Sequence, residues 1–442
     1  MNAQRLYILL LFCAFLTTCS RTLQHTLGDF PVQVPNIQID IQGSQNIGPC
    51  EPTIAINPKN PNQLLAGAVL NKVYASDDGG KTWTKNTLTS PYGVWGDPVI
   101  VADYKDQFFY AHLSDPTGKN WASAQILDRI VVQKSADLGK SWTDGSFAGL
   151  HHPKDQDKHW LAVDPQSNHL YMTWTEFDKY DSRDAEDHSR ILFSKSVDGG
   201  DSWSPTIALS QFEGNCLDDD QTTEGAVPAV GPNGNIYVAW AFDEKIYFDR
   251  SLDGGATWLG KDIVVTDQPG GWNFNIPGIN RSNGMPVTDV DISEGPNRGT
   301  IYVNWADQRN GTDDTDVWIT YSKDQGNSWE APIRVNNDNP GKHNFLTWMD
   351  IDPITGFVYI VFYDRRNYTD NKTDVYLAYS TDGGQTFTNR KISESPFTPS
   401  EHVFFGDYNN LSVYNGTVRP IWTRYEKNKL SVWTSLIDFS VH

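Results

Sequence analysis

The sequence predicts an all-β chain folded as a single seven-bladed β-propeller, and three observations carry that prediction. One eight-residue hairpin motif occurs six times, an inner-strand pattern occurs seven times, and a segment of period-two alternation stands ahead of the first repeat. Repeats come first because a unit too small to bury its own apolar face must stack on its neighbours. A six-bladed ring is the alternative if the hairpins alone set the count.

The hairpin is Ser76-Asp77-Asp78-Gly79-Gly80-Lys81-Thr82-Trp83, repeated at Ser135 to Trp142, Ser196 to Trp203, Ser251 to Trp258, Ser322 to Trp329 and Ser380 to Phe387. Its aspartates are Asp78, Asp137, Asp198, Asp253, Asp324 and Asp382. A carboxylate at this spacing can accept hydrogen bonds from the turn's own backbone, while Gly supplies dihedrals closed to other residues. The terminal aromatic packs the turn shut. These six carboxylates are therefore read as structural.

Three strand-like runs precede each hairpin. The second run recurs as Leu170-Tyr-Met-Thr-Trp174, Ile236-Tyr-Val-Ala-Trp240, Ile301-Tyr-Val-Asn-Trp305 and Val358-Tyr-Ile-Val-Phe362, all β-branched and aromatic. The first run recurs at Thr53 to Ile56, Val99 to Ala102, Leu161 to Val163, Val227 to Val230, Val287 to Val290, Trp348 to Ile351 and Leu411 to Val413. That makes seven inner strands for six hairpins. The last unit stops after three strands, so the alternating segment Ile37-Gln-Ile-Asp-Ile41 is expected to close the ring as its missing outer strand.

Residues 1–19 read as an export signal, with Arg5 as the early charge and an apolar stretch from Leu6 to Phe15. Leu16-Thr17-Thr18-Cys19 resembles a bacterial lipobox, which implies lipidation of Cys19 and anchoring at the outer membrane or cell surface; without it the chain is secreted. Residues 20–29 are then a linker and residues 30–442 the propeller, a monomer whose membrane contact runs through the anchor alone. Cys50 and Cys216 remain in the domain, and two cysteines make no disulfide framework. With 35 basic against 55 acidic side chains the net charge is −20, which excludes a phosphate-backbone partner such as nucleic acid.

In a propeller, the loops between first and second strands share a face with the hairpins, and here they are tight, as in Gly231-Pro-Asn-Gly234. The opposite face carries long loops, including 150–159, 211–225 and 307–316, and long loops on a rigid scaffold are where function concentrates. At that mouth the sequence places Glu51, Asp97, Asp157, His159, Glu224, Asp407 and Tyr408. Such carboxylates suit acid or base work if their environments separate their pKa values, and otherwise cap turns between blades. Arg309, Arg365, Arg366 and Arg424 all leave the end of a second strand; they either fork onto a ligand carboxylate or sulfate or brace their loops through Asp307 and Asp364. His151, His152, His343 and His402 fall in the same loops, and no pair has metal-ligand spacing. Asp218 to Asp220 and Asp313 to Asp316 read as Ca²⁺ loops or as solvated acidic loops, so no cofactor is assigned.

The hairpins resemble the Asp-box repeat of sialidases and related propellers, over residues 48–436. That resemblance implies the fold. True sialidases carry an Arg-Ile-Pro motif where this chain has Glu51-Pro52-Thr53-Ile54, so neither the arginine triad nor sialic acid carries over. The expected activity is cleavage of an acidic polysaccharide, uronate-bearing or sulfated. It proceeds either by β-elimination with His159, His343 or Tyr408 as base beside Arg365, or by hydrolysis with carboxylates such as Glu224 and Asp407. Arg309, Arg424, Glu51 and Asp97 are the expected substrate-binding residues. A non-catalytic glycan- or protein-binding propeller and a sialidase-type exo-glycosidase are the alternatives.

Overall fold

The computed structural model describes residues 25–43 and 47–442; the export signal, Cys19 and residues 20–24 of the linker lie outside them. Their regular structure is β except for one 3-10 turn at Asn120–Ala122. Seven antiparallel sheets form the blades of a ring, each built from four strands in chain order, inner to outer, except that the seventh borrows its outer strand. The inner strands of blades 1 to 7 are Thr53–Ile56, Val99–Ala102, Asp155–Val163, Glu224–Val230, Val287–Val290, Asn344–Ile351 and Asn410–Tyr414.

Ring closure follows the sequence expectation. Asn36–Ile41 lies antiparallel to the third strand of blade 7, Lys429–Ser435, pairing Asn36 with Ser435 and Ile41 with Ser431. Blade 7 also carries a short strand, Ile437–Asp438, on the start of its second strand. The amino-terminal arm continues past the blade, where Gly28 N donates to Ser440 O at 2.8 Å and Thr26 N to His442 O at 2.9 Å.

Burial explains the aromatic second strands. Trp174, Trp240, Trp305 and Trp422 are enclosed between neighbouring blades, where each removes a large apolar surface from water. Cys50 and Cys216 are buried free thiols.

The hairpins form one repeated hydrogen-bond set. In the first, Asp78 Oδ1 accepts from Thr82 N at 2.9 Å, Asp78 Oδ2 from Thr82 Oγ1 at 2.7 Å, and Ser76 Oγ from Gly80 N at 2.9 Å. The Ser141 hydroxyl and its own turn hold Asp137 down at about 2, and Asp198 and Asp324 sit at about 2 for the same reason. Their hydrogen bonds run to groups of their own turn, as with Asp137, which accepts from Ser135 Oγ, Ser141 N and Ser141 Oγ.

Three inner strands begin earlier than their alternation indicates, at Asp155, Glu224 and Asn344 instead of near Leu161, Val227 and Trp348. A register shift interrupts each, between Asp157 and Trp160, Glu224 and Val227, and Phe345 and Trp348. A bulge adds a residue to one strand and breaks the period-two signal there. These bulges all lie at the long-loop mouth of the channel.

Candidate functional site

The backbone is strained where the inner strands begin, in bulged and unbulged blades alike. Glu51, Asp97, Lys158 and Leu346 have φ of 50°, 49°, 47° and 47°, and Gly225 and Gly406 occupy left-handed conformations at the corresponding points of their blades. For a non-glycine residue this region costs about 1–2 kcal/mol. Such strain gathers where side chains must be aimed, and here it turns Glu51, Asp97 and Lys158 toward one another.

Lys158 is the hub. Its Nζ lies 2.8 Å from Asp407 Oδ2 and 3.1 Å from Asp97 Oδ2, with 7% of the side chain exposed. Glu51 Oε1 accepts from Asp407 N at 3.1 Å. Asp407 also pairs with Arg281 Nε at 3.0 Å, and Arg281 forks onto Asp218 at 2.7 and 2.9 Å. Asp218 in turn accepts from the Tyr180 hydroxyl at 2.7 Å. Tyr180 stacks on Trp121, with centroids 5.6 Å apart and planes 24° apart, and Trp95 meets Trp121 edge-on. Trp121 is 57% exposed, so its outer side faces solvent.

Inside this chain the carboxyls divide. Burial, then the charge of Asp97, pushes Glu51 well up; burial and the neighbouring Asp218 and Asp157 do the same to Glu224. Burial raises Asp157 to about 7 against the pull of Lys158. Asp407 is also buried, yet Arg281 and Lys158 hold it below the ordinary carboxylate value. Pairs of carboxyls with separated pKa values are what acid and base roles need. Among the described residues, no three His, Cys, Asp or Glu side chains converge as a metal site.

Of the residues singled out in the sequence, Glu51, Asp97, Asp157, Glu224 and Asp407 therefore meet at one mouth. His159 and Tyr408 lie beside them, but as wall. Burial lowers the His159 ring to about 4. The Tyr408 hydroxyl donates to Pro98 O at 3.2 Å and its ring meets Trp160 edge-on at 5.1 Å, while Trp160 lies 4.4 Å from Trp348. These three rings plug the channel beneath the charged cluster.

The recurrent arginines and His343 stand apart. Arg309 pairs with Asp307 at 2.6 Å over the Trp318 ring, and Arg366 with Asp364 at 2.6 Å over Tyr376. Arg365 is buried and donates to Pro277 O at 2.7 Å and Thr373 Oγ1 at 3.1 Å. Arg424 donates to Ser395 Oγ at 3.1 Å between the Phe397 and Trp433 rings. Arg309 and Arg366 are each braced by the aspartate two residues ahead, and Arg365 and Arg424 by neighbouring loop atoms. His343 contacts Thr315 Oγ1 at 3.1 Å, and burial lowers it to about 4. His151 bonds Glu176, and His402 is exposed.

Sequence reasoning missed Lys158, Arg281, Tyr180, Trp121 and Trp95. Lys158 was legible as the residue between Asp157 and His159. Arg281 comes from the loop after Ile263–Asp267, where no repeat position announces it.

Comparison with known proteins agrees with this architecture. A family model described as BNR/Asp-box repeat matches residues 74–85, the first hairpin with its flanks. The chain is an Asp-box β-propeller. Among solved structures, this Asp-box propeller is similar to an ulvan lyase, a polysaccharide lyase, at 11% identity and TM-score 0.53, covering 91% of this chain and 96% of that one. It is similar to the NanB sialidase from Streptococcus pneumoniae at 10% identity and TM-score 0.50, covering 85% and 83%. A protein of unknown function from Dyadobacter fermentans gives 14% identity and TM-score 0.51, covering 78% and 94%. At such identities the likeness is one of fold. One curated relative, the oligoxyloglucan-reducing end-specific xyloglucanase of Emericella nidulans, is 34% identical over 79 residues. That match spans 15% of this chain and about a tenth of the relative.

Proposed function

We propose that this propeller is a glycan-active protein whose site is the long-loop mouth, and that the reaction fitted to that mouth is glycoside hydrolysis. The observation that carries the reading is the hydrogen bond from Tyr180 to Asp218, which ties an exposed aromatic platform to a cluster of carboxyls with divided ionisation. A sugar ring laid on Trp121 would find Asp218 beside it. Asp157, which interacts electrostatically with Asp218 and keeps its proton up to about pH 7, is the proton donor in this reading. Asp218 is the second carboxylate.

The same geometry weighs against elimination at a uronate. His343 and Arg365 are not at the mouth, and Lys158 and Arg281 are each held by two carboxylates. Neither cation is unpaired for a ligand carboxylate or sulfate, so an uncharged sugar fits better than an acidic one. The partial likeness to a xyloglucanase adds xyloglucan oligosaccharides to the neutral glycans worth testing.

The test incubates the whole chain with neutral, uronate-bearing and sulfated glycans while following reducing ends and the absorbance of unsaturated uronate. Reducing ends from a neutral glycan are expected. Asp157→Asn should lower that rate about a hundredfold or more, and Trp121→Ala should raise KM about fivefold. Unsaturated uronate would reassign the protein as a lyase. Binding abolished by Trp121→Ala, with no product, would make it a glycan-binding module; neither binding nor product with any glycan would overturn the reading.

A further inference from the structure

The channel on the other side of the aromatic plug is a second compartment. Below Trp160, Trp348 and Tyr408 it widens into a cavity of about 280 Å³ that opens on the hairpin face. Its wall is the seven inner strands, mostly Val, Ile, Leu and Ala, and two carboxylates interrupt it: Asp289 of blade 5 and Asp350 of blade 6. Tyr104 lies close enough that both carboxylates and Tyr414 bear on its hydroxyl electrostatically. No Lys, Arg or His lines this cavity.

The two carboxylates have a structural use that does not require their charge. Asp289 Oδ2 accepts from Ile351 N of the next blade at 2.8 Å, and Asp350 Oδ2 accepts from Val413 N at 2.6 Å. These contacts stitch inner strand to inner strand. The stitches and the strand register together identify the same position in every blade, Ala55, Val101, Ala162, Ala229, Asp289, Asp350 and Ser412: in blades 1 to 6 it is the residue before the one opposite the start of the second strand, and in blade 7 it lies one residue further back. In blade 7 the Ser412 hydroxyl makes the identical stitch, accepting from Ile56 N at 3.1 Å. Four blades carry only an aliphatic residue there. A neutral acceptor, or none, therefore suffices for the fold, and two adjacent carboxylates facing one apolar cavity are unexplained by it. Burial makes them costly: with the charge of Asp291 it raises Asp289 to about 7, and with the charge of Asp289 it raises Asp350 well above its usual value.

We infer that the hairpin-face cavity binds a small organic ammonium ion, its charged nitrogen between Asp289 and Asp350 and its apolar part against the Val, Ile and Leu wall. The complement of two carboxylates without a cation is a cation. A divalent metal is a poor match because it needs six or more oxygen ligands or a near-ideal octahedron, and this wall supplies little beyond the two carboxylates. An alkylammonium satisfies both surfaces at once, and the Tyr104 ring adds a face for its charge. The cavity has room for about nine water-sized volumes, which suits a chain of several carbons.

The experiment is calorimetric titration of the whole chain with hexylammonium, with hexanol as the neutral isostere and Ca²⁺ as the inorganic cation. Saturable one-to-one binding of hexylammonium is expected, at least tenfold tighter than hexanol. Asp289→Asn with Asp350→Asn keeps an acceptor for both stitches, and should abolish that difference while leaving the thermal unfolding temperature unchanged or raised. If the double variant fails to fold, Tyr104→Leu, which leaves both stitches intact, should weaken hexylammonium severalfold. Absence of saturable hexylammonium binding overturns the inference. So does equal affinity for hexanol, preference for Ca²⁺, or binding indifferent to these substitutions. Glycan turnover at the opposite face should be unaffected by Asp350→Asn, so the two sites fail separately.

Discussion

Asp157 keeps its proton to about pH 7 because burial outweighs the adjacent Lys158, and burial raises Asp249 to about 7 as well. A carboxyl raised in the folded state binds a proton the unfolded chain has released. Its contribution to stability is present at low pH and is lost as pH rises from about 4 through the folded value of about 7. Buried His112, His159 and His343 act in the other direction. Burial lowers all three to about 4, so their contribution is present above the unfolded value of 6.5 and lost as pH falls toward 4. The hairpin aspartates, held below the ordinary carboxylate value by hydrogen bonds within their turns, add a further loss only below about pH 4. Between about pH 7.5 and about pH 8.5 the histidines are essentially neutral in both states and only the raised carboxyls still titrate. Thermal melts across that window should show Tm falling by about 1–3 °C as pH rises. A flat or rising Tm there would show that these carboxyls are already ionised in the folded protein.

At the level of the element, the hairpin was fully legible because its chemistry is local: Ser, Asp, Gly and Thr bond one another within eight residues. The position after the aspartate was not. It requires φ near +60° to +78° in every copy, and four copies use glycine (Gly79, Gly199, Gly254, Gly383) while Leu138 and Gln325 carry side chains at φ of 60° and 63°. The Gln325 side chain is exposed, and its contact with Arg250 runs through the backbone carbonyl. Gln325→Gly therefore removes about 1–2 kcal/mol of strain against about 0.5–1 kcal/mol of added chain entropy in the unfolded state. A net gain of roughly 0.5 kcal/mol is expected by urea unfolding; a loss would mean that the other residues of the box already relax the strain. The mouth was legible only in part, for the opposite reason. Glu51, Asp97, Glu224 and Asp407 could be placed because each precedes a recognisable inner strand. Arg281 and Trp121 reach the cluster from loops whose paths no period encodes, and the bulges at Asp157 and Glu224 hide where their strands begin.

For the whole molecule, the ring closes through two segments nearly 400 residues apart, Asn36–Ile41 and Lys429–Ser435. Alternation in the first segment and the odd count of inner strands made that closure readable, since a three-stranded last blade would leave an open edge. Ile39 is 1% exposed and packs with Ile54 of blade 1 and Val432 of blade 7, so it joins the first and last blades by burial as well as by pairing. Ile39→Ala should cost about 2–4 kcal/mol in equilibrium unfolding. Removing residues 25–42 tests closure more directly, because it exposes the third strand of blade 7 as an unpaired edge, while also releasing the arm's contacts with Tyr74 and Lys85 of blade 1 and with Ile392 and Glu394 after blade 6. The truncated chain should self-associate through that edge, eluting above its monomer mass in light scattering. A synthetic peptide of residues 30–42 added in trans should return it to the mass seen before truncation, by adding the missing strand. If the truncated chain stays at the same mass and unfolds at the same temperature, the borrowed strand is decoration, and blade 7 is held by the short strand Ile437–Asp438 and its packing against blades 1 and 6 instead.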